Sequence, residues 1–166
     1  MEFLLFETHL GCMALGEEEG HITRLYLPNP PTPRLMPHET PLLSRAREQL
    51  LEYLAGERKK FDLPLAPQGT PFQQKVWAAL RAIPYGQVCS YKDLARSAGC
   101  PRGFQAVGQA NRRNPIPILI PCHRVIAADG SAGGYGGGSE LKRALLAIEG
   151  VCLPWGEENF LSRLAK

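Results

Sequence analysis

The sequence predicts an α/β (α+β) chain: a small N-terminal sheet-plus-helix domain followed by a mainly helical C-terminal domain. Three observations carry this. Phe3–Phe6 and His21–Leu27 are short apolar stretches bounded by turn residues, as strands are. Leu42, Leu43, Ala46, Leu50, Leu51 and Leu54 recur at helical spacing. After Gly69, three helical stretches with cap or stop signals follow one another.

In chain order, the first strand leads into a turn region. The second strand ends at Pro28-Asn29-Pro30-Pro31, where repeated proline removes donors and fixes the backbone as a loop. The leucine-rich helix follows and stops at Gly56, and Phe61–Leu65 is short and extended. Ala66-Pro67-Gln68-Gly69 reads as a linker, which sets the expected domains at 1–66 and 67–166. Thr70-Pro71 then places a helix cap before proline at the first helical position. Phe72, Val76, Trp77 and Leu80 line one face of that helix, which ends before Pro84-Tyr85-Gly86. Ser90 caps a helix over Tyr91–Ser97, Gly99-Cys100-Pro101 turns the chain, and a further helix runs from about Gly103 to Arg112. Two short helices around a glycine-containing turn make a helix-turn-helix pattern, which by itself serves structure more often than DNA. A last helix covers Ser139–Ile148.

The 166 residues, 44% hydrophobic and 21% charged, describe an ordinary globular composition with enough chain to bury a core. No apolar run approaches the ~18 residues of a membrane span, and Met1–Phe6 lacks the features of a signal peptide. Five cysteines, an odd number without CxxC spacing, argue against a disulfide framework or a zinc site. A cytoplasmic, cofactor-free and metal-free protein is expected, in a compartment that keeps thiols reduced. Net charge is only +3, but residues 100–125 hold Arg102, Arg112, Arg113 and Arg124 and no acid, a local bias that suits a modest nucleic-acid contact.

The most informative stretch is Pro121-Cys122-His123-Arg124-Val125, directly after the apolar run Ile116–Ile120. A free cysteine is only a few per cent thiolate near neutrality, so a nucleophilic one needs a neighbour that takes its proton. A histidine on the same turn can be that neighbour. Taken alone, Cys122 also reads as one more small buried hydrophobe.

The text from Asn114 to Val125, Asn-Pro-Ile-Pro-Ile-Leu-Ile-Pro-Cys-His-Arg-Val, resembles the active-site signature of the O6-alkylguanine-DNA alkyltransferases. The resemblance runs from about Thr70 to Val151. It includes Thr70–Gln73, Trp77, Ile83–Gly86, Ser90-Tyr91, Ala106–Gly108, Gly134–Gly137, Lys142 and Glu149-Gly150, in the family's order.

The resemblance implies direct repair of DNA by a single-turnover reaction on O6-alkylguanine, and possible use of O4-alkylthymine. The base is flipped from a duplex held through its minor groove, and the protein is expected to act as a monomer. It implies that Cys122 is nucleophile and alkyl acceptor, that His123 takes its proton through a water, and that Glu149 orients His123. Asn114 corresponds to the hinge asparagine that ties the helix-turn-helix to the active-site turn. Tyr91 is implied to contact the flipped guanine, and backbone groups of Cys122, Val125 and Gly136 to read its edge. Tyr135 walls the pocket and Lys142 assists charge on the leaving base. Ala106, Gly108 and Ala110 would allow close approach to sugar and phosphate, with packing of the helix as their alternative use. Arg112, Arg113 and Arg124 supply the cationic surface.

Three positions depart from the family pattern. Gln105 stands where many members carry an arginine that fills the vacated stack, and Arg113 where glycine or alanine is commoner. Gly136 replaces a serine or alanine. The rival readings are an alkyltransferase-like lesion-binding protein, a transcriptional regulator and a cysteine hydrolase. The first lacks the cysteine, the second needs no Cys-His turn, and the third needs no DNA-facing helix.

Overall fold

A computed structural model describes residues 1–28, 34–127, 135 and 138–151. The chain opens with an antiparallel meander of β1 (Glu2–Thr8), β2 (Gly11–Glu18) and β3 (His21–Tyr26), in spatial order β1-β2-β3. The turn region expected after the first strand is therefore largely strand. Gly11–Glu18 contains no β-branched or aromatic residue, so propensity is silent there. As the central strand it buries Met13, Ala14 and Leu15 completely, which also erases the alternation that marks a half-exposed strand.

Helix α1 (Pro41–Leu54) begins one residue before the expected Leu42, because Thr40 caps it: the Leu43 amide donates to Thr40 Oγ1 at 3.1 Å. Leu43, Ala46, Leu50 and Tyr53 form its buried stripe against the sheet, each with no exposed surface. Burying a leucine-sized side chain contributes roughly 1.5–3 kcal/mol, so this stripe fixes the helix in place. Gly56, at φ 77°, takes the left-handed conformation that ends it. The extended segment beyond runs beside β3, where Ile22 N donates to Pro64 O at 2.8 Å and Ala66 N to Ile22 O at 2.9 Å.

Helix α2 (Pro71–Arg81) carries a full capping box between Thr70 and Gln73. Its Trp77 indole donates to Ala110 O at 2.9 Å, and a Cβ at Gly69 would lie 2.4 Å from the same ring. Only glycine admits that approach. Then follow β4 (Cys89–Ser90), α3 (Tyr91–Ser97), α4 (Phe104–Arg112), a 3-10 turn (Cys122–Arg124), β5 (Val125–Ile126) and α5 (Ser139–Ile148). Ser90 caps α3 as expected, accepting from Asp93 N at 3.1 Å. Parallel pairing of Cys89 with Val125 and Ser90 with Ile126 brings the start of α3 beside the 3-10 turn.

One apolar core runs through both parts of the chain, from Leu4 in β1 to Leu145 in α5. The Leu25 amide donates to Pro115 O at 2.9 Å, which ties the first sheet to the segment entering the cysteine turn. Among the described residues, no helix is long and apolar enough to cross a membrane.

Candidate active site

Asn114 shapes the approach to the cysteine. Its Nδ2 donates to Ile120 O at 2.8 Å and its Oδ1 accepts from Ile116 N at 3.0 Å, so one buried side chain clamps both ends of the intervening loop. Within that loop Ile118 sits at φ 72°, a left-handed conformation that a β-branched residue rarely adopts. Such a residue costs about 1–3 kcal/mol and persists only where its surroundings over-determine it. The Asn114 clamp and the burial of Ile116, Ile118 and Ile120 provide that constraint.

Cys122 is buried, and burial pushes its thiol up to about 11. Asn114, the Lys142 charge and the Tyr135 side chain pull the other way without overcoming burial. At neutral pH Cys122 therefore rests as a thiol, protected from casual oxidation and in need of a base. Lys142 is fully buried on α5, with its Nζ donating to Val125 O, and desolvation brings its pKa down to about 8. Tyr135 Oη is buried, and among the described residues no group stands in regular hydrogen-bond geometry with it.

His123 has no exposed surface, and burial lowers its pKa, which leaves the ring neutral near pH 7. Its Nε2 lies 2.6 Å from Glu149 Oε2, while Nδ1 is buried and makes no hydrogen bond among the described residues. An ionised carboxylate only accepts, so the proton of the neutral ring belongs on Nε2 and the lone pair on Nδ1.

Glu149 caps the C-terminus of α5, and Gly150 at φ 77° turns the chain away there. The residue is only 6% exposed, and its carboxylate is surrounded by donors. Oε1 accepts from Arg124 Nε at 2.9 Å and from Gly86 N at 3.0 Å. Oε2 accepts from Arg124 Nη2 at 3.0 Å, from His123 Nε2, and from Tyr53 Oη at 2.5 Å. Burial alone would raise this carboxyl, but hydrogen bonds from His123 and Arg124 outweigh it and hold it down to about 2.

Arg124 needs correction as a member of the cationic surface. It is 7% exposed, forks onto Glu149, donates through Nη1 to Ile83 O at 2.7 Å and lies 5.7 Å over the Tyr85 ring. An arginine so buried and committed is not part of the exposed cationic surface. The Ile83–Gly86 motif thereby acquires a physical meaning: a carbonyl and a ring for Arg124, then an amide for Glu149.

Helix α4 divides its small residues between two faces. Gln105, Ala106, Arg112 and Arg113 are exposed, whereas Gly108 and Ala110 are buried. A Cβ on Gly108 would sit 3.6 Å from the Tyr91 ring, and Ala110 O takes the Trp77 proton, so both serve packing rather than an outer surface. Tyr91, half-buried at the start of α3, is thus seated against α4. Gly136 and most of the expected glycine loop lie outside the described residues.

Sequence reasoning passed over Tyr53, Gly86 as a donor, and the inward role of Arg124. Tyr53 did carry a signal. It occupies the buried stripe of α1, where a phenol must find a polar partner.

The 6-O-methylguanine DNA methyltransferase DNA-binding domain matches residues 71–151, and the ribonuclease-like domain of the same methyltransferase matches residues 2–67. The constitutive methylated-DNA–protein-cysteine methyltransferase of Bacillus subtilis is 51% identical over 153 residues, covering 87% of this chain and 93% of that one. A methylated-DNA–protein-cysteine methyltransferase of Methanosarcina acetivorans is 42% identical, covering 92% and 100% respectively. Among solved structures, Mycobacterium tuberculosis OGT in complex with DNA superposes with a TM-score of 0.83 at 41% identity, over 90% of this chain and 92% of that one.

Proposed function

The chain belongs to the 6-O-methylguanine DNA methyltransferase family, and we propose that it repairs DNA by moving the alkyl group of O6-alkylguanine onto Cys122. It is a methylated-DNA–protein-cysteine methyltransferase that reverses the lesion directly. The observation that carries the assignment to Cys122 is the joint burial of its thiol with a neutral His123 whose Nε2 is tied to Glu149.

The thiol proton passes to His123 Nδ1 through a water. The thiolate attacks the alkyl carbon in line, a C–S bond forms, and the C–O6 bond breaks with its electron pair going to the guanine. The proton released by the thiol ends on the guanine, so the products are S-alkylcysteine and the unmodified base. Glu149 holds the imidazole in the Nε2–H form and stabilises the imidazolium as it appears. Lys142, part-charged near its pKa of about 8, favours both the thiolate and the departing base. A thioether offers no easy leaving group, so each molecule reacts once.

Reaching the alkyl carbon requires the base to leave the stack. Gln105 and Ala106 on the outer face of α4 enter the minor groove, with Arg112 and Arg113 at the end of the helix against phosphate. Tyr91 at the start of α3, Tyr135 and backbone groups of Cys122, Val125 and Gly136 receive the flipped guanine. One copy of the chain suffices, in a reducing cytoplasm. Presence of the thiol separates the chain from lesion-binding relatives that do not transfer. Incubation with duplex DNA carrying O6-methylguanine tests the function: intact mass gains one methyl per molecule, and an unchanged mass refutes it.

A further inference from the structure

Tyr53 joins the relay from the other half of the molecule. It lies in α1, packed on the N-terminal sheet, with no exposed surface. Its hydroxyl oxygen is 2.5 Å from Glu149 Oε2 and 3.3 Å from His123 Nε2, so it reaches the carboxylate oxygen that also holds the imidazole. The ring is fixed on two sides, 5.4 Å from Phe61 and 6.2 Å edge-on from Tyr85. Burial, followed by the Glu149 charge, drives the phenol far above its ordinary pKa, so it stays protonated as a donor.

We propose that Tyr53 is a positioning residue for the transfer reaction, through which the N-terminal domain sets both the placement and the basicity of the Glu149–His123 pair. The proposal rests on the alkyl-transfer function given above. Tyr53 acts in two ways. It occupies the approach to Oε2 that Arg124 and Gly86 leave open, so the carboxylate cannot rotate and the ring it holds keeps its Nδ1 in place. It also withdraws electron density from Oε2. A carboxylate that donates less to the imidazole leaves the ring neutral at rest, ready to accept a proton rather than already carrying one. The first domain thereby supplies one side of the catalytic relay besides its packing.

The test compares wild type with Tyr53→Phe, which keeps the ring contacts and removes only the hydroxyl, and with 2,3-difluorotyrosine at position 53, a stronger donor of the same shape. Single-turnover methyl transfer from duplex DNA is followed against pH, alongside binding of the same DNA and ¹⁵N titration of the His123 ring. Loss of an outer partner of a metal-bound histidine costs about 10–100-fold, and by analogy Tyr53→Phe should slow transfer by about that amount with DNA binding within about twofold. Its His123 titration and the acid limb of its rate should both move to higher pH, and those of the fluorinated protein to lower pH. Transfer within about twofold of wild type, or a His123 titration that does not move in either protein, overturns the proposal. Absence of transfer by wild type would instead refute the function, while the ring titration still decides whether Tyr53 tunes His123.

Discussion

Arg124 and Glu149 face each other as a fork against a carboxylate, with Nε to Oε1 at 2.9 Å and Nη2 to Oε2 at 3.0 Å. The pair is buried, so its worth depends on geometry: two parallel bonds offset the desolvation of both ions, and a single bond does not. Lysine cannot make the fork. Arg124→Lys should therefore lose stability toward the lower end of the ~3–5 kcal/mol that follows when one partner of a buried pair is lost. Chemical denaturation measures this, and a loss under ~1 kcal/mol would mean that the fork contributes little beyond its charge.

Glu149→Gln turns one of the two acceptor oxygens into an amide donor, removes the charge that stabilises the His123 imidazolium, and leaves the Arg124 charge without its counter-ion. General acid–base groups contribute ~10²–10⁴-fold, and methyl transfer should slow within that range while circular dichroism remains native. A rate within about threefold of the parent, under ~1 kcal/mol in barrier, would show that the carboxylate does not serve the base.

Acid should destabilise the protein through two groups. His123 is lowered from 6.5 by burial, so as pH falls below 6.5 the unfolded chain takes up a proton that the native state refuses. Glu149 is held at about 2 against an ordinary 4.5, so its contribution is complete above 4.5 and is lost as pH falls toward 2. Both effects have the same sign. Thermal melting should therefore give a Tm that falls steadily from pH 7 to pH 4. A flat Tm between pH 7 and pH 5 would place a charged His123 in the native state.

Gln105 is exposed on α4; under the proposed function it fills the vacated stack and offsets part of the few kcal/mol needed to extrude a base. Gln105→Arg should speed repair of duplex DNA, steepen its salt dependence by up to about one phosphate contact, and leave reaction with free O6-benzylguanine nearly unchanged. Equal acceleration on the free base would assign the effect to the pocket instead. No change on the duplex would mean that glutamine, or the neighbouring Arg112 and Arg113, already suffices.

Local chemistry made much of this molecule legible from sequence. Thr70-Pro71 and Ser90 start helices by capping, which needs only neighbouring residues, and both appear where expected. The Cys-His turn was legible because its residues are adjacent. Asn114 was legible only through the family resemblance, although its partners Ile116 and Ile120 lie close by in sequence. Strand β2 was not, since its identity comes from lying between β1 and β3 rather than from its own residues. Arg124 looked like surface charge because a sequence shows the cation and hides Glu149, Ile83 and Tyr85, which fold around it from three other segments. Tyr53 was hidden for the same reason, its partner lying in the last described helix cap.

Transfer of the lesion's alkyl group to one cysteine is the central claim, and peptide-resolved mass spectrometry tests it most directly. After reaction with duplex DNA carrying O6-methylguanine, the peptide containing Cys122 should gain one methyl group, with the other cysteine peptides unmodified. Cys122→Ala should bind the lesion duplex with affinity close to that of the parent and take up no methyl at all. Methyl uptake by Cys122→Ala, or a methyl group mapped to Cys12, Cys89, Cys100 or Cys152 in the parent, would contradict it.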